Sequence, residues 1–207
     1  MECFCEPLIK KYHFQKEEYK KMKLAIVFPG IGYHSDKPLL YYSKKAALKS
    51  EYQIKELTYS DLPFVDKGNT ESMRAAQEAA YVQIKNQLAN IDFSEYESVL
   101  FISKSLGTVL ASRYAAEHGI MNVIHLCYTP VADTFEGLKK AGSGYVFHGL
   151  SDPWCGSSTV YSNMNELTGK YNLFTFEGAN HSLETGDLNA DIQIISKIVN
   201  FLITFLN

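Results

Sequence analysis

The sequence predicts an α/β fold: a mostly parallel central sheet with helices on both faces. Three observations predict it. Short apolar runs rich in Val, Ile, Leu and Phe recur along the chain and stop at Pro, Gly, Ser or Asp. Segments with apolar residues at helical spacing separate these runs. The connections are short, and strand–helix–strand alternation with short links yields parallel strands joined by covering helices.

Each element follows from its residues. Residues 24–28 (LAIVF) are a continuous apolar run closed by Pro29-Gly30, as expected of a strand buried on both faces. Residues 38–50 show helical spacing, and 52–57 read as a short strand. Residues 70–90, rich in Ala, Gln and Glu, predict a long helix with Thr70 as N-cap. A strand is expected over 98–102 and a helix over 106–118, stopped by Gly119. A strand over 123–128 ends near Pro130, a short helix covers 135–140, and a strand covers 145–147. The loop Ser151-Asp152-Pro153 follows, then a helix over 157–167 ending at Gly169 and a strand over 171–176. A strongly apolar helix over 188–206 closes the series. The first 22 residues read as an arm or an edge strand over 12–19. No repeat, low-complexity tract or linker interrupts the alternation, so residues 1–207 read as one domain.

Composition excludes several classes. With 46% hydrophobic and 21% charged residues, the chain can bury a core and is not disordered. A net charge of −3 offers no basic footprint for nucleic acid or an anionic membrane. No apolar stretch approaches the ~20 residues of a bilayer span, and MECFCEPLIKKYHFQ lacks a signal-peptide core. Cys3, Cys5, Cys127 and Cys155 form neither a disulfide framework nor metal-ligand spacing, so a reducing, cytoplasmic setting is expected.

Chemistry enters at LFISKSLGTVLASRY, residues 100–114. A strand becomes a helix at Ser105, at the carboxyl end of a parallel strand, where ligands bind. Ser103 and Gly107, two residues to either side, are small and relieve crowding at a sharp turn. The N–H of Leu106 then points at a developing oxyanion. The plainer alternative is that Ser105 caps the following helix.

Ser103-Lys104-Ser105-Leu106-Gly107 resembles the nucleophile elbow of the α/β-hydrolase superfamily, Gly-x-Ser-x-Gly, with Ser103 in place of the first glycine. The family order is Ser, then Asp or Glu, then His, each on a loop after a later strand. Asp152 in HGLSDPW and His181 in FEGANHSLE match that order. The resemblance implies Ser105 as nucleophile, His181 as general base and acid, and Asp152 as orienting carboxylate. Asp133, one strand earlier, is the rival acid, or else an N-cap. The family's second oxyanion donor lies in FPGIGYHSDKP, residues 28–38. By that resemblance Pro29 and Gly30 stand for its His-Gly, and Ile31 donates its N–H, with Gly32 as the alternative donor.

Other residues near this frame are candidates for substrate contact: Gly30, Gly32, Tyr33, His34, Lys104 and Trp154. Lys104 either faces the site or bends to solvent, and solvent is the favoured reading. Tyr41 and Tyr42 either line the pocket with Tyr33 or pack, and packing is the favoured reading. His125 and His148, in or at the end of strand runs, read as structural, and His118 as a helix-end residue. Only residues 129–144 separate the strand over 123–128 from the next, room for one short helix and not a cap domain. The resemblance, over residues 24–207, implies a small capless hydrolase similar to dienelactone-hydrolase-like and small carboxylesterase groups. It implies cleavage of a small carboxylic ester or thioester through an acyl-serine, with no metal or cofactor. A ligand-binding protein on the same fold is the alternative. A nucleotide-binding doubly wound fold lacks its phosphate loop here, because Gly30 and Gly32 have no third glycine.

Overall fold

The computed structural model describes residues 22–66 and 69–207. The expected arm or edge strand before residue 22, with Cys3, Cys5 and His13, lies outside the described residues. Six strands form one sheet: β1 (Met22–Phe28), β2 (Tyr52–Glu56), β3 (Tyr96–Lys104), β4 (Val123–Tyr128), β5 (Ser143–Gly149) and β6 (Tyr171–Phe176). Their spatial order is β2-β1-β3-β4-β5-β6, and every pair is parallel. The expectation of a mostly parallel sheet is met by a wholly parallel one among the described residues.

Strands β1, β3 and β4 occupy the middle, and this is why their sequences are apolar without alternation. Leu24–Phe28, Val99–Lys104 and Leu126–Tyr128 are buried throughout, since both faces are covered. Helices α1 (Pro38–Lys49) and α6 (Leu188–Leu206) cover one face, over Ala25, Val27, Leu100, Ile102 and Leu126. On the other face, α2 (Thr70–Leu88) and α3 (Leu106–Glu117) pack over Ile26, Phe28, Val99 and Phe101. There α4 (Thr134–Leu138) and α5 (Ser157–Glu166) enclose Cys127 and Val146. Each fully buried Leu, Ile, Val or Phe contributes about 1.5–3 kcal/mol.

Helix starts show where short-range chemistry differs from the expectation. The N-cap of α2 is Asn69, not Thr70: its side chain accepts from the N–H groups of Glu71 and Ser72, at 3.0 and 3.1 Å. Asn is at least as good a cap as Thr, so the helix starts one residue after it. Asp187 caps α6 by accepting from Ala190 N–H at 2.8 Å. The expectation that no apolar stretch approaches the length of a bilayer span is overturned by α6, whose 19 residues are by length and composition apolar enough to cross a membrane. Part of that apolarity serves packing, because Ile194, Ile198, Leu202 and Leu206 are buried against the sheet. The expected short strand over 145–147 is Ser143–Gly149, and the strand over 98–102 reaches Lys104. The single helix α4 lies between β4 and β5, so among the described residues no cap domain is inserted there.

The sheet order reverses between β1 and β3. β1 is followed by a crossover to β2 on one side, and β3 lies on its other side. Loops leaving β1 and β3 therefore part at their carboxyl ends and open a crevice.

Candidate active site

Ser105 sits at that reversal point, between β3 and α3, with φ 53° and ψ −119°. A non-glycine residue with this backbone stores about 1–3 kcal/mol of strain. The strain is held by packing around the turn. Ser105 N–H donates to the Tyr128 carbonyl at 3.0 Å, and the Ser105 carbonyl accepts from Thr108 N–H at 2.8 Å. Ser105 makes no side-chain cap bond to α3, so the capping alternative fails. Its hydroxyl lies 2.7 Å from His181 Nε2, and His181 Nδ1 lies 2.7 Å from Asp152 Oδ2. Three side chains from distant parts of the chain form one hydrogen-bonded line.

Each partner is positioned by its loop. Asp152 follows β5; its side chain is fully buried, and Oδ1 accepts from Trp154 N–H at 2.8 Å while Oδ2 faces the imidazole. His181 follows β6 in a turn organised by Asn180, whose Oδ1 accepts from Ser182 and Glu184 N–H at 2.7 and 3.2 Å. Thr129 Oγ1 donates to the His181 carbonyl at 2.9 Å. The Asp152 and His181 loops meet at Gly149, where a Cβ would come 2.3 Å from the Ala179 carbonyl oxygen. Sequence reasoning missed Thr129, Asn180 and Gly149 as supports. The glycine in HGLSDPW was a visible signal; Thr129 gave none, because its partner is 52 residues away.

Burial pushes the His181 pKa below its usual value; the Asp152 hydrogen bond opposes this and the Lys104 charge reinforces it. The imidazole is thus neutral near pH 7 and able to accept a proton. Asp133 does not join the line. Its Oδ2 accepts from Gln77 Nε2 at 2.9 Å, and it makes no side-chain cap bond to α4.

The turn after β1 holds Ile31, the expected second oxyanion donor. Gly30 and Tyr33 bond reciprocally through their backbones at 3.1 Å, leaving Ile31 and Gly32 at the tip. Gly32 has φ 68°, as the third position of a type II turn requires. A Cβ on Gly30 would lie 3.2 Å from Ser105 Cβ, so this turn abuts the serine. Leu106 N–H opens α3, where the first amides have no helical acceptor. The Tyr59 hydroxyl donates to the Pro29 carbonyl and ties the loop to the segment after β2. Gly107 lets the loop approach: a Cβ there would stand 2.1 Å from the Phe28 carbonyl oxygen and 2.5 Å from that of Pro29. Gly107→Ala is therefore expected to lose about 1–3 kcal/mol of stability as overpacking pushes the loop away. Urea unfolding checks this; an unchanged midpoint would contradict the close approach.

The remaining candidates divide. Trp154 is partly exposed, with its ring 5.8 Å from the His181 ring. Tyr33 is buried, and its hydroxyl oxygen accepts from Leu39 N–H at 3.2 Å. His34 is exposed and accepts from Asp36 N–H at 3.3 Å. Tyr41 and Tyr42, expected to pack, are exposed and meet edge-on at 5.1 Å. They are adjacent on α1, and the buried face is taken by Leu39, Leu40, Ser43 and Ala47. Lys104, read as bending to solvent, is 1% exposed. It is the last residue of β3, and Tyr33 and Gly30 close over it. Cys127 and Cys155 are free buried thiols. Among the described residues no cluster of His, Cys, Asp or Glu is placed to hold a metal ion.

Concavities flank the line. One of about 330 Å³ lies between the starts of α1 and α6, lined by Tyr33, Pro38, Tyr42, Leu183, Leu188 and Ile192 among others. A second, of about 180 Å³, lies beside Trp154 and includes Arg74, Val131 and Asp133. A larger one, about 870 Å³, lies at the opposite, amino edge of the sheet near Phe93, Tyr114 and His118. None of the residues assigned to chemistry lines it.

A parallel sheet with a strained serine at its reversal point, and among the described residues no cap domain inserted after β4, defines the α/β-hydrolase fold in a small form. Solved structures agree. An α/β serine hydrolase homologue from Coxiella burnetii superposes with a TM-score of 0.58 at 14% identity, over 88% of this chain and 86% of that one. Est1E from Butyrivibrio proteoclasticus, solved with ferulic acid bound, gives 0.61 at 11% identity, over 91% of each chain. XC6422 from Xanthomonas campestris, a serine hydrolase without a lid, gives 0.57 at 12% identity, over 90% and 85%. No family model matches the sequence, and no curated protein matches it. At such identities the likeness establishes the fold and leaves the chemistry to this chain's own residues.

Proposed function

We propose that the protein is a serine hydrolase that cleaves a small carboxylic ester or thioester. The observation that carries this reading is the unbroken line Ser105 Oγ–His181 Nε2–Asp152, with 2.7 Å at both links. As Ser105 Oγ bonds to the substrate carbonyl carbon, its proton passes to His181 Nε2. Asp152 holds the other ring nitrogen as the N–H tautomer and stabilises the imidazolium. The oxyanion is received by Leu106 and Ile31 N–H; one such donor contributes about 2.7–4 kcal/mol. His181 returns the proton to the leaving alcohol or thiol. Water then takes the alcohol's place and releases the acid from acyl-Ser105. The apolar concavity bounded by Tyr33 and Ile192 receives the acyl part, and its size is at the small end for a ligand site.

A ligand-binding protein on the same fold would have no use for a strained serine aligned to a neutral imidazole. A fluorophosphonate probe separates the two readings. Ser105 is expected to become covalently labelled, with the Ser105→Ala variant blank. A folded wild-type protein that stays unlabelled beside a competent control would favour the binder.

A further inference from the structure

Lys104 precedes the serine, and among the described residues it is the one lysine at the site that is fully buried. Its side chain lies on the α1/α6 face of the sheet, beneath the turn that carries Ile31. A Cβ on Gly30 would lie 3.4 Å from Lys104 Cγ, and Lys104 Nζ sits 5.0 Å from the centre of the Tyr33 ring. Tyr33 is itself tied to Gly30 through two backbone bonds. The ammonium is therefore held in place by the same turn that supplies the oxyanion donor. With 1% of its surface exposed, Lys104 is not available to bind substrate.

We propose that Lys104 is a positioning residue: its buried ammonium, clamped by Tyr33 and next in the chain to Ser105, opposes a second positive charge on the His181 ring that Ser105 contacts. The inference rests on the serine-hydrolase reading. Burial of a lone cation is costly, and burial is the chief reason the Lys104 pKa falls to about 7; the charges of Asp152 and Glu184 oppose the fall. The groups around the ammonium come from every neighbouring element. Tyr33 comes from β1's loop, Tyr128 from β4, Asp152 from β5's loop, and His181 and Glu184 from β6's loop. Tyr128 is committed to Ser43 at 2.7 Å, and Lys44 is paired with Glu56 at 2.8 Å and Asp36 at 3.3 Å. His148 and Cys155 feel Asp152 from the α5 side. Asp152 and Glu184 are the counter-charges acting on the ammonium, and His181 is the base that would add a second cation beside it on protonation.

The sign follows directly. Below pH 7 Lys104 is charged and opposes a proton on His181, so the base stays neutral further into acid. Removing the charge by Lys104→Met should raise the pH at which His181 protonates, by roughly half a pH unit or more for two charges in a buried site.

The test follows the rate of Ser105 phosphonylation by a short fluorophosphonate from mildly acidic to mildly alkaline pH. The step forms the Ser105 Oγ–P bond, expels fluoride and passes the hydroxyl proton to His181. In Lys104→Met the midpoint of the acid limb should move up, with labelling at the alkaline plateau retained. Lys104→Arg, which keeps the cation, should hold the wild-type midpoint. Tyr33→Leu, which removes the clamp and leaves Lys104 in place, should shift it in the same direction as Lys104→Met. A Lys104→Met midpoint equal to wild type, or a uniform loss at all pH values, would overturn the positioning role. Absence of labelling in wild type would instead overturn the hydrolase reading.

Discussion

Ser105→Ala is expected to lower ester turnover about 10⁴-fold, which is about 5.5 kcal/mol of transition-state stabilisation. The fold should survive, because among the described residues the hydroxyl hydrogen-bonds His181 Nε2 alone, at 2.7 Å, and the Ser105 backbone bonds remain. Residual activity would come from the Leu106 and Ile31 amides acting on bound substrate, which the substitution leaves in place. Asp152→Asn should cost a similar factor by a different route. An amide at this position can donate to Nδ1 and would hold the imidazole in the tautomer that cannot accept the serine proton. Because the three side chains act as a unit, the double variant should lose hardly more than either single one. Ser105→Gly separates chemistry from strain. It should be as inactive as Ser105→Ala yet more stable, because glycine tolerates φ 53° and ψ −119°. Turnover of an aryl acetate together with thermal unfolding checks the set; Ser105→Ala activity within tenfold of wild type would remove the assignment.

His125 is expected to make the fold acid-labile. It lies in the middle of β4, fully buried, with neither ring nitrogen hydrogen-bonded. Phe101 meets it edge-on at 5.6 Å, and the glycines 142 and 144 of the β5 approach press against it. Burial drives its pKa down to about 3. In the unfolded chain it titrates near 6.5. Between those values the unfolded state holds one more proton, so stability rises with pH across the window and is lost as pH falls through it. The slope is about 1.4 kcal/mol per pH unit. Below about pH 3 both states are protonated and the loss stops. His125→Leu removes the titration and the two unsatisfied nitrogens while keeping an apolar filler. Its advantage over wild type should grow by about 3 kcal/mol between pH 6.5 and pH 4. Urea midpoints at the two pH values measure this. Equal pH dependence in the two proteins would show that His125 is protonated in the native state.

The elements were legible because their signals are local. LAIVF ending at Pro-Gly, the run before Ser103, and the apolar segment after Val123 read as strands, since a strand buried on both faces must be apolar at every position. The positions of Ser105, Asp152 and His181 were legible for a related reason. Parallel strands carry their chemistry on the loops at their carboxyl ends, so the resemblance to the nucleophile elbow, with residue type and chain order, sufficed to choose Ser105 and His181 and to narrow the acid to two. The choice between Asp152 and Asp133 was not. It was decided by Gln77, which takes Asp133, and by the Trp154 amide and the His181 ring, which take Asp152.

Alone, the sequence determined the α/β class, the order of the elements and the three residues that could form the line, because strand and helix periodicity and loop position are properties of neighbouring residues. Only the tertiary structure decided that Lys104 is buried under Tyr33, that Thr129 holds the His181 carbonyl, and that Gly107 receives the Phe28 carbonyl. Those relations join segments tens of residues apart, and whether a side chain meets water or a ring depends on what the rest of the chain brings over it.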